Sequence, residues 1–314
     1  MNLQEIKTIG IAGAGVMGSS FAQIFAKNNY DVLVYDIADE SLVKSRKLIE
    51  LNQQTLVEQG ELSKAQSADI QNRIKFNRDM EALSSADFII EAVVENMEIK
   101  RNLWEKLSEH IRDDAIATSN TSGLSLTEIA KSVKKPERFA GMHWVNPPHL
   151  VPLVEVICAE QTSSETAEIA YALAVAIGQK PVMVKKDAPG FILNRIQFSV
   201  LREAMNIVDS GIATIEDVDN VLKYGLGMRY AAIGPFETAD LGGLDTFYNI
   251  AGYLFSDLSY EKQPSPLLAE LVQKNHYGVK SGKGFYDYSG GKGEEAIRRR
   301  DAIFIKLAKC LWQK

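Results

Sequence analysis

Lys7-Thr8-Ile9-Gly10-Ile11-Ala12-Gly13-Ala14-Gly15-Val16-Met17-Gly18 is the stretch on which the fold turns. Residues 7–12 read as an apolar strand and pass directly into a Gly-x-Gly-x-x-Gly turn, which opens a helix over about 17–27. In such a turn Gly13 permits the sharp reversal, Gly15 lets a pyrophosphate approach the backbone, and Gly18 lets helix and strand pack closely. The helix then offers unpaired N–H groups, and the positive end of its dipole, to the phosphates. Residues 31–35 read as the second strand, and Asp36 follows them, where a carboxylate can hydrogen-bond an adenosine ribose. The expected dinucleotide contacts are therefore Gly13, Ala14, Gly15, Val16, Met17, Gly18 and Asp36. Asp36 also favours NAD over NADP, because a 2′-phosphate would meet a carboxylate and Ile37 supplies no guanidinium. A flavin uses a similar fingerprint and is the alternative cofactor. A purely structural turn beside a solvated Asp is the plainer reading.

The alternation continues outward from this unit. Strands are predicted at 74–77, 88–92, 115–119, 139–144, 153–157 and 181–185. A long polar helix is predicted over 41–59, and another over 97–110 with Ile99, Leu103 and Leu107 at helical spacing. Strands and helices in this order make a doubly wound parallel sheet, so the fold class is α/β with an N-terminal Rossmann domain over 1–186. After Asp187 only helices are predicted, over 191–209 and from the capping pattern Thr214-Ile215-Glu216-Asp217 onward. The second domain, 187–314, is thus all-α. Its helices are apolar on more than one side, which predicts burial against a neighbour or a second subunit. Ser289-Gly290-Gly291-Lys292-Gly293 reads as a linker to a C-terminal helix.

Composition excludes several classes. An apolar fraction of 46% and a charged fraction of 24% are those of a soluble globular protein, and no apolar run approaches the roughly 18 residues of a membrane span. The N-terminus shows no basic and apolar leader, so no secretory signal is expected. Cys158 and Cys310 lie far apart in the sequence, which suits a reducing, cytoplasmic compartment. A net charge of −6 argues against nucleic acid, and it means that a polyanionic substrate would need a locally basic patch. His110, His143, His149 and His276 have no metal-ligand spacing, so no metal is expected.

His143 lies near the end of the predicted strand 139–144, and Glu155 lies inside the apolar strand Leu153-Val154-Glu155-Val156-Ile157. The connection between them is too short for a helical crossover, so the strands must run antiparallel or turn sharply. A reversal centred on His149 sets residue 143 opposite residue 155. A carboxylate between valines is costly to bury without a partner, and an imidazole is the obvious one. Such a pair is either a structural bridge or a general base with its orienting carboxylate, as hydride transfer from an alcohol requires. Polar residues also follow the fifth strand, Ser119-Asn120-Thr121-Ser122-Gly123, at the sheet end where open α/β folds bind ligands. Ser125 reads as a helix cap, which leaves Ser122 available.

Together, Gly13–Gly18, Glu91-Ala92-Val93-Val94-Glu95-Asn96, Ser119–Ser122 and His143 with Asn146-Pro147 resemble the 3-hydroxyacyl-CoA dehydrogenase family. Leu153-Val154-Glu155-Val156, Gly190-Phe191-Ile192-Leu193-Asn194-Arg195 and Lys280-Ser281-Gly282-Lys283-Gly284-Phe285-Tyr286 extend the resemblance to about residue 288. It implies that His143 is the general base, Glu155 its orienting carboxylate, and Ser122 and Asn194 the contacts to the substrate oxygen. It also implies that Glu95, Lys100, Ser122, Asn146 and Lys280 join Asp36 around NAD, and that the helical domain dimerises.

The departures fall on the substrate side. The family's acyl-CoA enzymes usually show His-Phe-Phe-Asn-Pro, whereas this chain has His143-Trp144-Val145-Asn146-Pro147-Pro148. They tend to carry lysines in the second half of the helix after Asp36, where Leu51–Gln59 contains no basic residue. Gly225-Leu226-Gly227-Met228-Arg229-Tyr230 is more similar to the lambda-crystallin (L-gulonate 3-dehydrogenase) branch, and Arg229 could bind a carboxylate. The expectation is NAD-dependent oxidation of a short-chain 3-hydroxyacyl-CoA. The alternatives are a dehydrogenase of a free hydroxy acid or sugar acid, and a non-enzymatic NAD-binding structural protein.

Overall fold

The apolar runs of the first half form eight strands: β1 (Thr8–Ala12), β2 (Asp31–Tyr35), β3 (Ile74–Asn77), β4 (Phe88–Glu91), β5 (Ile116–Ser119), β6 (Phe139–Trp144), β7 (Leu153–Ile157) and β8 (Lys180–Val184). They make one sheet in the order β3-β2-β1-β4-β5-β6-β7-β8. All pairings are parallel except β6–β7, which is antiparallel. The direction of winding reverses between β1 and β4, the crevice where doubly wound sheets take their ligands. The loops after β1, β2, β4 and β5 and the end of β6 share that carboxyl edge.

This is a computed structural model, and it describes residues 1–311. The chain divides into two compact units, Met1–Arg195 and Ile196–Lys314. The first unit holds helices α1 (Val16–Lys27), α2 (Asp39–Glu58), α3 (Lys64–Asn72), α4 (Met97–His110), α5 (Leu126–Ala130) and α6 (Ser164–Ala176). Strand alternation sends successive side chains to opposite faces, and two apolar clusters result. One gathers Ile9, Ile11, Ile90, Met142, Trp144 and Val156 with Phe21 and Phe25 of α1 and Leu173 of α6. The other gathers Ile89, Phe139 and Ile157 with Trp104 of α4 and Ile129 of α5. Trp144 is clamped by Phe21 and Phe25, with ring centroids 5.1 and 6.3 Å away, which anchors the end of β6.

Two helices of this unit escape the periodicity argument. Helix α3 is polar and buries only Ser67 and Ile70, while α6 is apolar around most of its circumference, so neither shows a clear stripe. The first unit also runs past residue 186. Segment 187–195 stays with the sheet because Ile192 and Leu193 donate their N–H groups to Glu155, and Asp187 accepts from Ser125 and Thr127 at the start of α5. The helix expected from about 191 therefore begins later, at Leu193, after left-handed Gly190 and Phe191 (φ 76° and 50°).

The second unit is helical: α7 (Leu193–Asp209) continues into it, followed by α8 (Ile215–Val221), a π-helical segment (Leu222–Leu226), α9 (Gly227–Ala232), α10 (Pro235–Gly242), α11 (Leu244–Leu254), α12 (Pro266–Gln273) and α13 (Lys292–Leu311). Thr214 caps α8 through the Asp217 N–H, as its pattern predicts. Among its described residues only Gly293 is buried. Phe236 is 86% exposed and Tyr248 80%, values far from those of a core aromatic.

Candidate active site

The antiparallel β6–β7 pair sets His143 directly opposite Glu155, the register that equidistance from His149 predicts. Both side chains point away from the Trp144 cluster, because their neighbours Met142, Trp144, Val154 and Val156 occupy it. His143 Nδ1 lies 2.8 Å from Glu155 Oε2, and the Phe191 ring covers the imidazole at 5.7 Å. The other carboxylate oxygen, Oε1, accepts the N–H groups of Ile192 and Leu193 at 2.9 Å each. Glu155 thereby also closes the N-terminus of α7, where a negative charge is favourable.

Burial raises the Glu155 pKa, but the His143 bond and the Leu193 and Ile192 N–H groups outweigh it and hold the carboxyl below its usual range. An ionised carboxylate only accepts, so Nδ1 carries the proton toward it, and in the neutral ring Nε2 is then the acceptor. Nε2 makes no hydrogen bond among the described residues. An oriented base with one nitrogen fixed and the other available can take a proton from a hydroxyl group.

The Gly-rich turn has a shape that fits a dinucleotide. A Cβ on Gly13 (φ 116°) would lie 2.6 Å from the Ala92 carbonyl oxygen, and one on Gly18 would lie 1.9 Å from that of Gly13. These two glycines are required by the packing itself. A Cβ on Gly15 would meet nothing within 4 Å, so the space in front of it is open for a ligand. Ala14, Val16 and Met17 complete the turn, and the Asp36 carboxylate accepts the N–H groups of Ala14 (2.8 Å) and Ala38 (2.9 Å). The acid that would read the ribose is thus tied to the loop that would hold the phosphates.

The loop after β5 collects a second group. Glu95 Oε1 accepts from the Thr121 hydroxyl (2.7 Å) and the Ser122 N–H (2.8 Å), and Asn194 Nδ2 donates to the Ser122 carbonyl at 2.9 Å. The Ser122 hydroxyl makes no hydrogen bond among the described residues. Lys100 lies inside the protein, 1% exposed, with its ammonium 2.6 Å from Glu91 and 3.4 Å from Glu95. Asn146 is exposed beyond the end of β6. Lys280 belongs to the second unit, where its ammonium lies 5.5 Å from the Tyr277 ring centroid. Arg229 is exposed in the same unit.

Glu91 was not among the candidates, although the signal that exposed Glu155 was present: a carboxylate ending the apolar run Phe88-Ile89-Ile90. The left-handed Phe191 and the carboxylate cap of α7 left no such trace. No group of His, Cys, Asp or Glu among the described residues could hold a metal ion. No helix among them is long and apolar enough to cross a membrane.

The chain is similar to known dehydrogenases over most of its length. Residues 8–188 match the family model for the NAD binding domain of 3-hydroxyacyl-CoA dehydrogenase, and residues 190–288 match that for its C-terminal domain. The chain is 35% identical over 304 residues to 5-formyl-3-hydroxy-2-methylpyridine 4-carboxylate 5-dehydrogenase of Mesorhizobium japonicum, covering 96% of this chain and 97% of the relative. It is 40% identical over 280 residues to a probable 3-hydroxybutyryl-CoA dehydrogenase of Deinococcus radiodurans, covering 89% and 99%. A solved structure described as a 5-formyl-3-hydroxy-2-methylpyridine 4-carboxylic acid 5-dehydrogenase, an NAD+-dependent dismutase, superposes with a TM-score of 0.90 at 33% identity, covering 98% of each chain.

Proposed function

The chain belongs to the 3-hydroxyacyl-CoA dehydrogenase family, and from that premise we propose that it oxidises the hydroxyl group of a small free hydroxy acid with His143 as general base. NAD is the cofactor, and when bound it accepts the hydride from the carbinol carbon. The observation that carries the chemistry is the His143–Glu155 pair at 2.8 Å, with Nε2 left to receive the hydroxyl proton. As the proton arrives, the imidazolium is stabilised by a carboxylate already held in place by two main-chain N–H groups. Ser122 and Asn194 face the substrate oxygen in this reading. The Gly13–Gly18 turn and Asp36 hold the dinucleotide, with Glu95 and Asn146 along its length. Lys100 acts from behind Glu95.

Two observations support a free acid. The second half of α2 offers no basic residue to a polyanionic carrier. The similarity to the pyridine carboxylate dehydrogenase runs over 304 residues, beyond residue 288 where the family models end. The reading with a short-chain 3-hydroxyacyl-CoA is favoured instead by the 40% identity to the probable 3-hydroxybutyryl-CoA dehydrogenase. An NADH-absorbance assay with acetoacetyl-CoA, free acetoacetate, and L-gulonate plus NAD separates them. We expect a free acid to have at least roughly tenfold the kcat/KM of the thioester, a difference of about 1.4 kcal/mol. The opposite ranking establishes the acyl-CoA reading.

A homodimer formed through the second unit completes the proposal, supported by the apolar side chains that this unit leaves uncovered. A cytoplasmic location is supported by two free cysteines.

A further inference from the structure

Glu91 ends β4 at the same edge of the sheet as the Gly-rich turn, and it is wholly buried. Its carboxylate is fully engaged. Oε1 accepts from Lys100 Nζ at 2.6 Å and from the Val93 N–H at 2.9 Å, while Oε2 accepts from the Ser119 hydroxyl at 2.6 Å. Lys100, in the first turn of α4, is 1% exposed, and its ammonium also lies 3.4 Å from Glu95 Oε2. The remaining oxygen of Glu95 holds the Thr121 hydroxyl and the Ser122 N–H. Two carboxylates therefore share one buried ammonium, and the outer one grips the main chain of the loop after β5.

A buried ion pair is a poor source of net stability, since apolar groups of similar size often serve as well. Its value here is geometric. With Glu91 present, the Lys100 charge is balanced inside, and Glu95 is left to hold the loop. Without that balance the ammonium has only Glu95, whose side chain is 43% exposed and able to swing inward. The Ser122 N–H would then lose its acceptor, and the loop its register.

We propose that Glu91 is a positioning residue that, through Lys100 and Glu95, sets the loop presenting Ser122 to the substrate. The proposal rests on the reading of Ser122 as a substrate contact, so its test separates the two.

Glu91→Gln keeps the shape and removes the charge. Deuterium uptake of peptides covering 120–124 should quicken at least roughly tenfold, with β1 and β6 unchanged, because only the loop loses its hold. With acetoacetyl-CoA or free acetoacetate, whichever is turned over, kcat should fall roughly tenfold to a hundredfold in the native background. In a Ser122→Ala background the same change should cost less than about threefold, since residues acting as a unit are non-additive. Unchanged uptake at 120–124, a uniform rise across the sheet, or equal kcat losses in both backgrounds would each overturn the proposal while leaving Ser122 its role. A Ser122→Ala enzyme with undiminished kcat removes the reading of Ser122, and with it the link from Glu91 to the chemistry. If Glu91→Gln does not fold, the charge-neutral pair Glu91→Gln with Lys100→Met is read in the same two assays: with no ammonium to draw Glu95 inward, exchange at 120–124 should stay at the native rate, and quickened exchange there would overturn the proposal.

Discussion

Glu155 is bound on both oxygens, and that double engagement makes it the most informative single residue of the site. Replacing His143 by Ala should lower kcat by roughly two to four orders of magnitude, the usual worth of a positioned general base. Glu155→Gln should also be severely slowed, and the double variant little slower than His143→Ala alone, which steady-state kinetics would reveal. Additive losses would mark the pair as structural. The carboxylate also links stability to pH. Its folded pKa lies below the ordinary value, so its contribution is full above about pH 4.3 and is lost as pH falls through the folded value. Acid titration of Glu155→Gln should therefore show a shallower loss of stability below about pH 4 than the native chain. At the other end of the site, Asp36→Ala should weaken the preference for NAD over NADP, read as the ratio of kcat/KM for the two cofactors. An unchanged ratio would show that the carboxylate, held by Ala14 and Ala38, does not read the ribose.

The turn from β1 into α1 separates the needs of folding from those of binding at the scale of an element. Gly18→Ala would drive a methyl group to 1.9 Å from the Gly13 carbonyl oxygen, a backbone atom that cannot swing aside. A loss of about 3 kcal/mol, at the upper end of overpacking costs, is expected from denaturant unfolding. Gly15→Ala meets open space, so its stability should be native. Its methyl group would stand where the pyrophosphate approaches, and NAD affinity by fluorescence titration should fall roughly tenfold or more. Equal effects of both substitutions on stability would contradict this division. The glycine spacing was legible in the sequence because turn, strand and helix are contiguous. The start of α7 was not, because its N-terminal N–H groups are satisfied by Glu155, 37 and 38 residues earlier in the chain.

For the whole molecule, the contrast between the units decides the expectation. The sheet unit buries its apolar clusters on both faces, whereas the described part of the helical unit buries only Gly293. A unit without its own core is stable only if something covers it, and for a homodimer that cover depends on concentration. The melting temperature of the helical unit should therefore rise with protein concentration, and sedimentation at micromolar concentration should give a dimer. A concentration-independent monomer would contradict the proposed assembly.

What the sequence determined by itself was local or nearly so. The Gly13–Gly18 turn, the alternation that makes the sheet, and the opposition of His143 to Glu155 follow from contiguous spacing and one short reversal. Tertiary structure alone decided which distant groups those residues would meet. Strand order brought Glu91 beside Ser119, from the neighbouring strand β5, and α4 laid Lys100 over it, so that this lysine is buried behind Glu95. Periodicity specifies the face of an element, but only the packing of crossovers determines which side chains share a desolvated space, and there each charge must find its partner.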